Sequence, residues 1–285
     1  RRHQIDMLAA ADAGKHALLV ADTGAGKTLA GFMPTLAAFC PSRLGGAPAP
    51  EGLHTLYVSP LKALAHDVQR NLVAPVEEMG LPIRIETRSG DTPSDRKARQ
   101  RARPPHILLT TPESLSLLLS YPESATLFAN LRYVVVDEVH AFATGKRGDL
   151  LALALTRLQA LAPDMQRSAL SATVAAPEEY RGWLAPWGDI DSVALVEGEK
   201  GAEPKVEILL PIEERIPWSG HAATWAIPQL YAQIQAHRTS LIFTNTRFLA
   251  EYIFECLWDA NEDNLPIGIH HGSLSKEARR KVEGA

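Results

Sequence analysis

Eight residues, Ala21 to Thr28 (ADTGAGKT), constrain the fold more than any other stretch of the chain. A short apolar run, Ala17 to Val20, precedes them, and a helix-like run, Leu29 to Met33, follows. Strand, glycine-rich turn, Lys-Thr and helix is the order that a phosphate-binding loop requires. Backbone N–H groups of Thr23, Gly24, Ala25 and Gly26 can converge on phosphate oxygens, and the following helix adds the positive end of its dipole. Lys27 would reach the β- and γ-phosphates, and the Thr28 hydroxyl would ligate Mg²⁺. Ala21 stands where the pattern usually has its first glycine.

The rest of the chain repeats the alternation that the loop implies. Apolar or β-branched runs predict strands at Ala17–Ala21, His54–Ser59, Arg84–Arg88, Ile107–Thr111, Tyr133–Asp137 and Arg167–Ser171. Amphipathic stretches between them predict helices at Leu61–Val73, Ser94–Arg103, Pro112–Ser120 and Asp149–Ala162. Such alternation specifies an α/β fold with a parallel sheet flanked by helices, whose ligands bind beyond the carboxyl ends of the strands. The pattern loosens around Asp189–Pro204, which reads as a boundary between residues 1–200 and a second α/β series over 201–285. That second series should contain strands at Lys205–Leu210, Ser240–Thr244 and Ile267–His270, and helices at Ala226–His237 and Arg247–Asn261.

Composition narrows the class. The 285 residues are 46% hydrophobic with a net charge of −4, so any nucleic-acid contact must come from a local surface and not from bulk charge. Two cysteines, Cys40 and Cys256, stand in no metal-ligand spacing and fit a reducing cytoplasm. No apolar run reaches the length of a membrane span.

The acidic run Asp137-Glu138-Val139-His140 follows the apolar strand Tyr133–Val136. A carboxylate at a strand end near a phosphate loop can hold Mg²⁺, which assigns Asp137 to the metal. Glu138 can then orient or deprotonate an attacking water. In isolation the run could be an acidic helix cap, and His140 alone a structural residue. Its position directly after the acidic pair gives it a coupling role.

Phosphate loop, Asp-Glu-Val-His and Ser171-Ala-Thr173 together resemble the DEXH-box helicases of superfamily 2. Gln4 lies 23 residues before Lys27, similar to the glutamine that reads adenine in that superfamily. Further resemblance lies in SPLKAL from Ser59, RSGDT from Arg88, TTPES from Thr110, IFTNTR from Ile242 and HHGS from His270. It implies two RecA-like domains, the second truncated, using ATP and Mg²⁺. Lys27, Asp137, Glu138 and His140 would be catalytic, with Ser171 and Thr173 coupling the nucleotide to domain movement. Pro60, Lys62, Arg88, Gly90, Thr111, Pro112, Glu113, Asn245, Arg247, His271 and Gly272 would follow a nucleic-acid strand through backbone amides, hydroxyls and helix ends.

PLKAL, RSGDT, Gly145-Lys-Arg-Gly148 and Pro217-Trp-Ser-Gly-His221 are similar to the large helicase-related (Lhr-like) family and within it to the ligase-associated DNA-repair branch. That resemblance implies an ATP-dependent motor on single-stranded DNA that unwinds DNA or RNA–DNA duplexes, works beside a DNA ligase and nuclease, and resides in the bacterial cytoplasm. It also implies two further motifs beyond Ala285, one carrying an arginine finger, so this chain by itself is expected to bind ATP but hydrolyse it poorly. An RNA helicase, a restriction-type translocase and a nucleotide-gated binding protein share the same motifs and stay open. The basic run Arg96 to Arg103 reads either as a solvated helix face or as a phosphate grip. Trp183, Trp187, Trp218 and Trp225 could stack bases or anchor the core.

Overall fold

The computed structural model describes residues 1–142, 145–172, 174–199, 201, 203–209 and 224–283, and the chain divides into two compact units, Arg1–Ala202 and Glu203–Ala285. The first unit is built on seven strands: β1 (His16–Val20), β2 (Thr55–Val58), β3 (Ile85–Arg88), β4 (Ile107–Thr110), β5 (Tyr133–Val136), β6 (Gln166–Ser171) and β7 (Val193–Glu197). They form one sheet in the order β3-β4-β2-β5-β6-β1-β7, and every pairing is parallel.

The strand sequences show why. β2, β4 and most of β5 are buried along their whole length, the mark of a parallel sheet covered on both faces. Alternate residues serve opposite layers. Leu56, Val58, Leu108, Val134 and Val136 join one core with helices α6 (Pro112–Ser120), α7 (Ser124–Phe128), α8 (Lys146–Leu161) and α9 (Pro177–Leu184). Tyr57, Ile107, Leu109, Val135 and Leu170 join the other with α1 (Arg2–Asp12), α2 (Lys27–Ala38) and α4 (Lys62–Glu78). The short α3 (Pro41–Leu44) follows α2, and α5 (Ser94–Ala102) follows β3.

Close approach between layers is set by one glycine in particular. A Cβ on Gly31 of α2 would lie 3.0 Å from Val135 and 3.1 Å from Leu170, so this helix seats directly on the centre of the sheet.

Several elements escape the sequence pattern, among them α1, α7, α9 and β7. Helix α1 buries Met7 and Ala10 on one of its sides. Strand β7 runs through the stretch read as a loosening boundary and pairs with β1 from His16↔Val193 to Val20↔Glu197. It is an edge strand with only Val193 and Val196 buried, so it lacks the continuous apolar run of its neighbours.

The second unit carries α10 (Ile227–Ala236), α11 (Arg247–Asp259) and α12 (Lys276–Glu283), with α10 and α11 packed around a small core of Ile227, Ile253 and Leu257. The strands expected at Lys205–Leu210, Ser240–Thr244 and Ile267–His270 are not formed among the described residues, and Leu210 lies outside them. The physical reason is pairing. A strand is stable only in a ladder with others, and these segments have no partner in register, with Ile208 82% and Phe243 91% exposed.

Candidate active site

Parallel pairing brings every strand's carboxyl end to one edge, and the strand order sorts the motifs along it. The phosphate loop after β1, Ser171 at the end of β6 and Asp137 after β5 occupy three adjacent strands. Pro60 after β2, Thr111 after β4 and Gly90 after β3 follow in order on the three strands beyond β5, and β7 closes the opposite side next to β1.

The loop itself is held in an unusual backbone. Gly24 and Gly26 have φ of +77° and +81°, a region that L side chains avoid. Gly26 caps α2, and a Cβ there would stand 3.0 Å from Gln4. Lys27 is buried, and its ammonium donates to the carbonyls of Ala21 (2.8 Å) and Asp22 (3.1 Å). Helix α1 braces the loop from outside. His3 donates from Nε2 to Ala25 O (3.0 Å), Gln4 from Nε2 to Gly26 O (3.4 Å), and Arg1 to Gly24 O (3.2 Å). On the far side, Gly201 N donates to the Asp22 carboxylate at 2.6 Å, and Gly198 packs so closely on Ala21 that a Cβ would fall 2.4 Å from the alanine methyl. A cavity of about 230 Å³ opens between these walls, lined by His3, Asp22, Thr23, Gly24, Glu199 and Gly201 among others.

Asp137 is buried and tightly held. The Tyr57 hydroxyl donates to its Oδ2, and Glu138 N donates to Oδ1 at 2.9 Å. Burial raises its pKa above the ordinary carboxylate value, with the Tyr57 and Glu138 hydrogen bonds and the nearby charges of Lys27 and His140 acting the other way. Burial and the neighbouring Asp137 charge likewise push the Tyr57 phenol up. Glu138 has φ +49°, a left-handed conformation that a non-glycine residue adopts at a cost of about 1–3 kcal/mol. The turn that follows, closed by Ala141 N to Glu138 O at 2.8 Å, swings His140 back towards β6. His140 Nδ1 shares a hydrogen bond of 2.9 Å with Ser171 Oγ and lies 3.5 Å from Glu138 Oε2. The acidic box and the Ser-Ala-Thr motif are therefore in direct contact through His140. Thr173 lies outside the described residues, as does Trp218.

In the other half of the edge, the Arg88 guanidinium is buried and donates to Lys97 O (2.9 Å) and Gln100 Oε1 (3.4 Å), which ties it to α5. The basic run on α5 is likewise engaged. Arg96 and Arg99 each lie 3.2 Å from Glu86, and Arg101 stacks over the Tyr121 ring at 4.2 Å. Thr111 is buried at the N-terminus of α6, which starts with Pro112 and Glu113. Gly90 O accepts from Lys97 at 2.8 Å. Lys62 opens α4, and its side chain is outside the described residues. Trp183 packs against the core, whereas Trp187 is 81% exposed.

Within the second unit, Thr246 caps α11, and Arg247 donates to Ser273 Oγ at 2.6 Å with Gly272 beside its guanidinium. His271 Nε2 pairs with Glu251 at 2.6 Å, and Asn245 lies in the exposed turn before α11. These contacts join two of the motifs read from the sequence.

Three contributors went unread at the level of sequence. Tyr57 sits mid-strand between Leu56 and Val58, where a phenol resembles any apolar ring. His3 and Gly198 had no motif to flag them.

No cluster of three or more His, Cys, Asp or Glu side chains among the described residues could enclose a metal ion. A hard cation here would rest on the Asp137 carboxylate and Thr28 hydroxyl together with phosphate and water oxygens, a donor set that suits Mg²⁺. Among the described residues no helix is long and apolar enough to cross a membrane.

Comparison with known proteins agrees with this geometry. The DEAD/DEAH box helicase family model matches residues 1–180. The chain is 36% identical over 286 residues to the ATP-dependent helicase Lhr-Core of Methanothermobacter thermautotrophicus, covering 95% of this chain and 33% of that protein. It is 36% identical over 329 residues to the Lhr helicase/probable uracil glycosylase of Mycolicibacterium smegmatis, covering 98% of this chain and 21% of that one. The structure of Mycobacterium smegmatis helicase Lhr bound to ssDNA and AMP-PNP superposes with a TM-score of 0.80 at 36% identity, over 99% of this chain and 37% of that one. A DEAD-box helicase, Mss116, shares the fold at a TM-score of 0.71 and 19% identity, over 97% of this chain and 56% of that one. The chain thus spans about a third or less of the length of the curated relatives it matches. With the phosphate loop, the Asp-Glu-Val-His box and Ser171 on adjacent strands, the chain belongs to the DEAD/DEAH box helicase family.

Proposed function

We propose that the protein is an ATP-dependent DNA helicase that couples ATP hydrolysis to movement along single-stranded DNA and unwinds DNA or RNA–DNA duplexes in DNA repair. The observation that carries this reading is the contact chain Glu138–His140–Ser171 beside the Lys27 loop, since a motor needs its hydrolytic group tied to a neighbouring strand end. The reading takes ATP and single-stranded DNA as ligands, and a functional association with a DNA ligase and nuclease comes to it from the family resemblance alone.

Lys27 and the amides of Thr23 to Thr28 bind the triphosphate. Asp137 and Thr28 would hold Mg²⁺, which when bound neutralises charge on the phosphates. Glu138 holds the attacking water and receives its proton, and its left-handed backbone fixes where its carboxylate points. His140 stands between Glu138 and Ser171, so a change in charge at Glu138 alters a hydrogen bond at the next strand.

Strand displacement by the full-length protein on tailed DNA and RNA–DNA duplexes tests the reading. ATP-dependent displacement is expected on a single-stranded DNA tail. Glu138→Gln should keep ATP affinity and lower turnover by about a hundredfold or more. Displacement driven only on an RNA tail, or turnover unchanged in Glu138→Gln, would reject it.

A further inference from the structure

The strand-binding half of the edge contains a carboxylate, Glu113, in the first turn of α6. A free carboxylate there would repel the phosphates that the surrounding amides and hydroxyls are placed to grip. The structure answers this charge with Arg147. Its Nε donates to Glu113 Oε1 at 2.7 Å, and its Nη2 donates to the Pro60 carbonyl at 2.9 Å. One guanidinium thereby joins loops 87 and 34 residues away in sequence, at the ends of the adjacent strands β2 and β4. Burial raises the Glu113 carboxyl, but the hydrogen bond from Arg147, those from the Glu113 backbone and Thr111, and the Arg147 charge together leave it below its ordinary value.

The position of Arg147 is itself determined. Its guanidinium lies over the ring of buried Phe142 at 5.8 Å. The next residue, Gly148, lets the first turn of α8 abut the Phe142 carbonyl, where a Cβ would come within 1.9 Å. A forked cation is required here, because two acceptors on different loops must be reached from one planar group; a lysine ammonium on a flexible stem lacks that geometry.

We propose that Arg147 is a positioning residue for nucleic-acid binding: by clasping Pro60 and Glu113 it fixes the relative position of the two strand-end loops and neutralises the carboxylate between them. This rests on the strand-binding reading above. Arg147 reaches the nucleic acid through these loops and does not itself ion-pair with phosphate.

The test uses the full-length protein and a fluorescent single-stranded oligodeoxythymidylate, with affinity measured across a salt series. Because Arg147 and Glu113 are about half exposed (46% and 53%), Arg147→Ala is expected to fold and to leave ATP hydrolysis without DNA unchanged. Its oligonucleotide affinity should fall about tenfold with the slope of log affinity against log salt unchanged, since no phosphate contact is lost. Arg147→Lys keeps the charge that neutralises Glu113 but not the fork that also reaches Pro60, so it should recover only part of the lost affinity. A salt slope shallower by about one phosphate contact, or full recovery of affinity in Arg147→Lys, would make Arg147 a direct phosphate ligand and overturn the inference. Wild-type affinity in Arg147→Ala would overturn it as well. Failure of the wild-type protein to bind the oligonucleotide would instead remove the strand-binding reading itself, and this inference with it.

Discussion

At the scale of single residues, the site is organised around buried polar groups that stabilise one another. Asp137 has two donors, Tyr57 and the Glu138 amide, and both are supplied by the protein's own chain. Tyr57 also stacks on Phe32 with ring centroids 5.5 Å apart, so its ring is a core residue and its hydroxyl a site residue. Tyr57→Phe should keep the ring packing and remove one donor from a buried carboxylate. Leaving a buried acceptor short of a partner costs about 1–3 kcal/mol. Urea denaturation should therefore show a loss in that range, and Asp137 should then titrate higher still. Lys27, Asp137, Glu138 and Ser171, which the structure brings to three adjacent strand ends, could all be picked out in the sequence because their types and spacing fit phosphate chemistry. Tyr57 could not, because its partner lies 80 residues away and nothing local marks it; the Gly145-Lys-Arg-Gly148 run is visible in the sequence, but not that Arg147 clasps groups 87 and 34 residues away.

At the scale of elements, legibility followed burial. Strands β2, β4 and β5 are covered on both faces and read as continuous apolar runs, so their positions were apparent to within a residue or two. Strand β7 is half-covered at the sheet edge, with only Val193 and Val196 buried, so it shows neither a continuous apolar run nor a clean alternation among the Asp, Gly and Glu that flank it. The three strands expected in the second unit show the converse. β-branched and aromatic residues give a segment the capacity for strand, and only a neighbour in register realises it. Helix α8 shows how one residue can decide where an element starts. Asp149 looked like its first residue, whereas the helix begins at Lys146 because Gly148 tolerates the Phe142 carbonyl against its Cα. Gly148→Ala should displace that first turn, since a Cβ within 1.9 Å of a backbone oxygen cannot be absorbed by a rotamer change. The expected loss is about 1–3 kcal/mol in thermal or urea unfolding. A Gly148→Ala protein as stable as the wild type would show that the α8 start is free to shift.

At the scale of the whole first unit, the two edges of the sheet are chemically opposite. The carboxyl edge is lined with amides, hydroxyls and charged groups suited to phosphates. The amino edge is closed by imidazoles held neutral: His16 at the start of β1, His54 just before β2 and His106 just before β4. His16 and His106 each accept a backbone N–H at Nδ1, from Arg167 (2.9 Å) and Arg84 (3.0 Å). His54 is enclosed between the rings of Phe39 and Tyr133. Burial, reinforced by nearby arginines, lowers His16 and His54 to about 4 and His106 in the same direction. An unfolded chain protonates these rings below about pH 6.5, whereas the fold refuses the proton at His16 and His54 until about pH 4. Their contribution to stability is thus complete above pH 6.5 and is lost as the pH falls towards 4. For fully buried His54 the loss amounts to about 3 kcal/mol, with a smaller share from the more open His16. Chemical denaturation at a series of pH values should show stability falling from pH 6.5 downward, with the part above pH 5 lying clear of most carboxylate titration. His54→Gln removes one titrating ring and should make that slope shallower. A slope unchanged in His54→Gln would mean that the imidazole is already charged in the folded protein, and that the amino edge of the sheet is not closed by neutral rings.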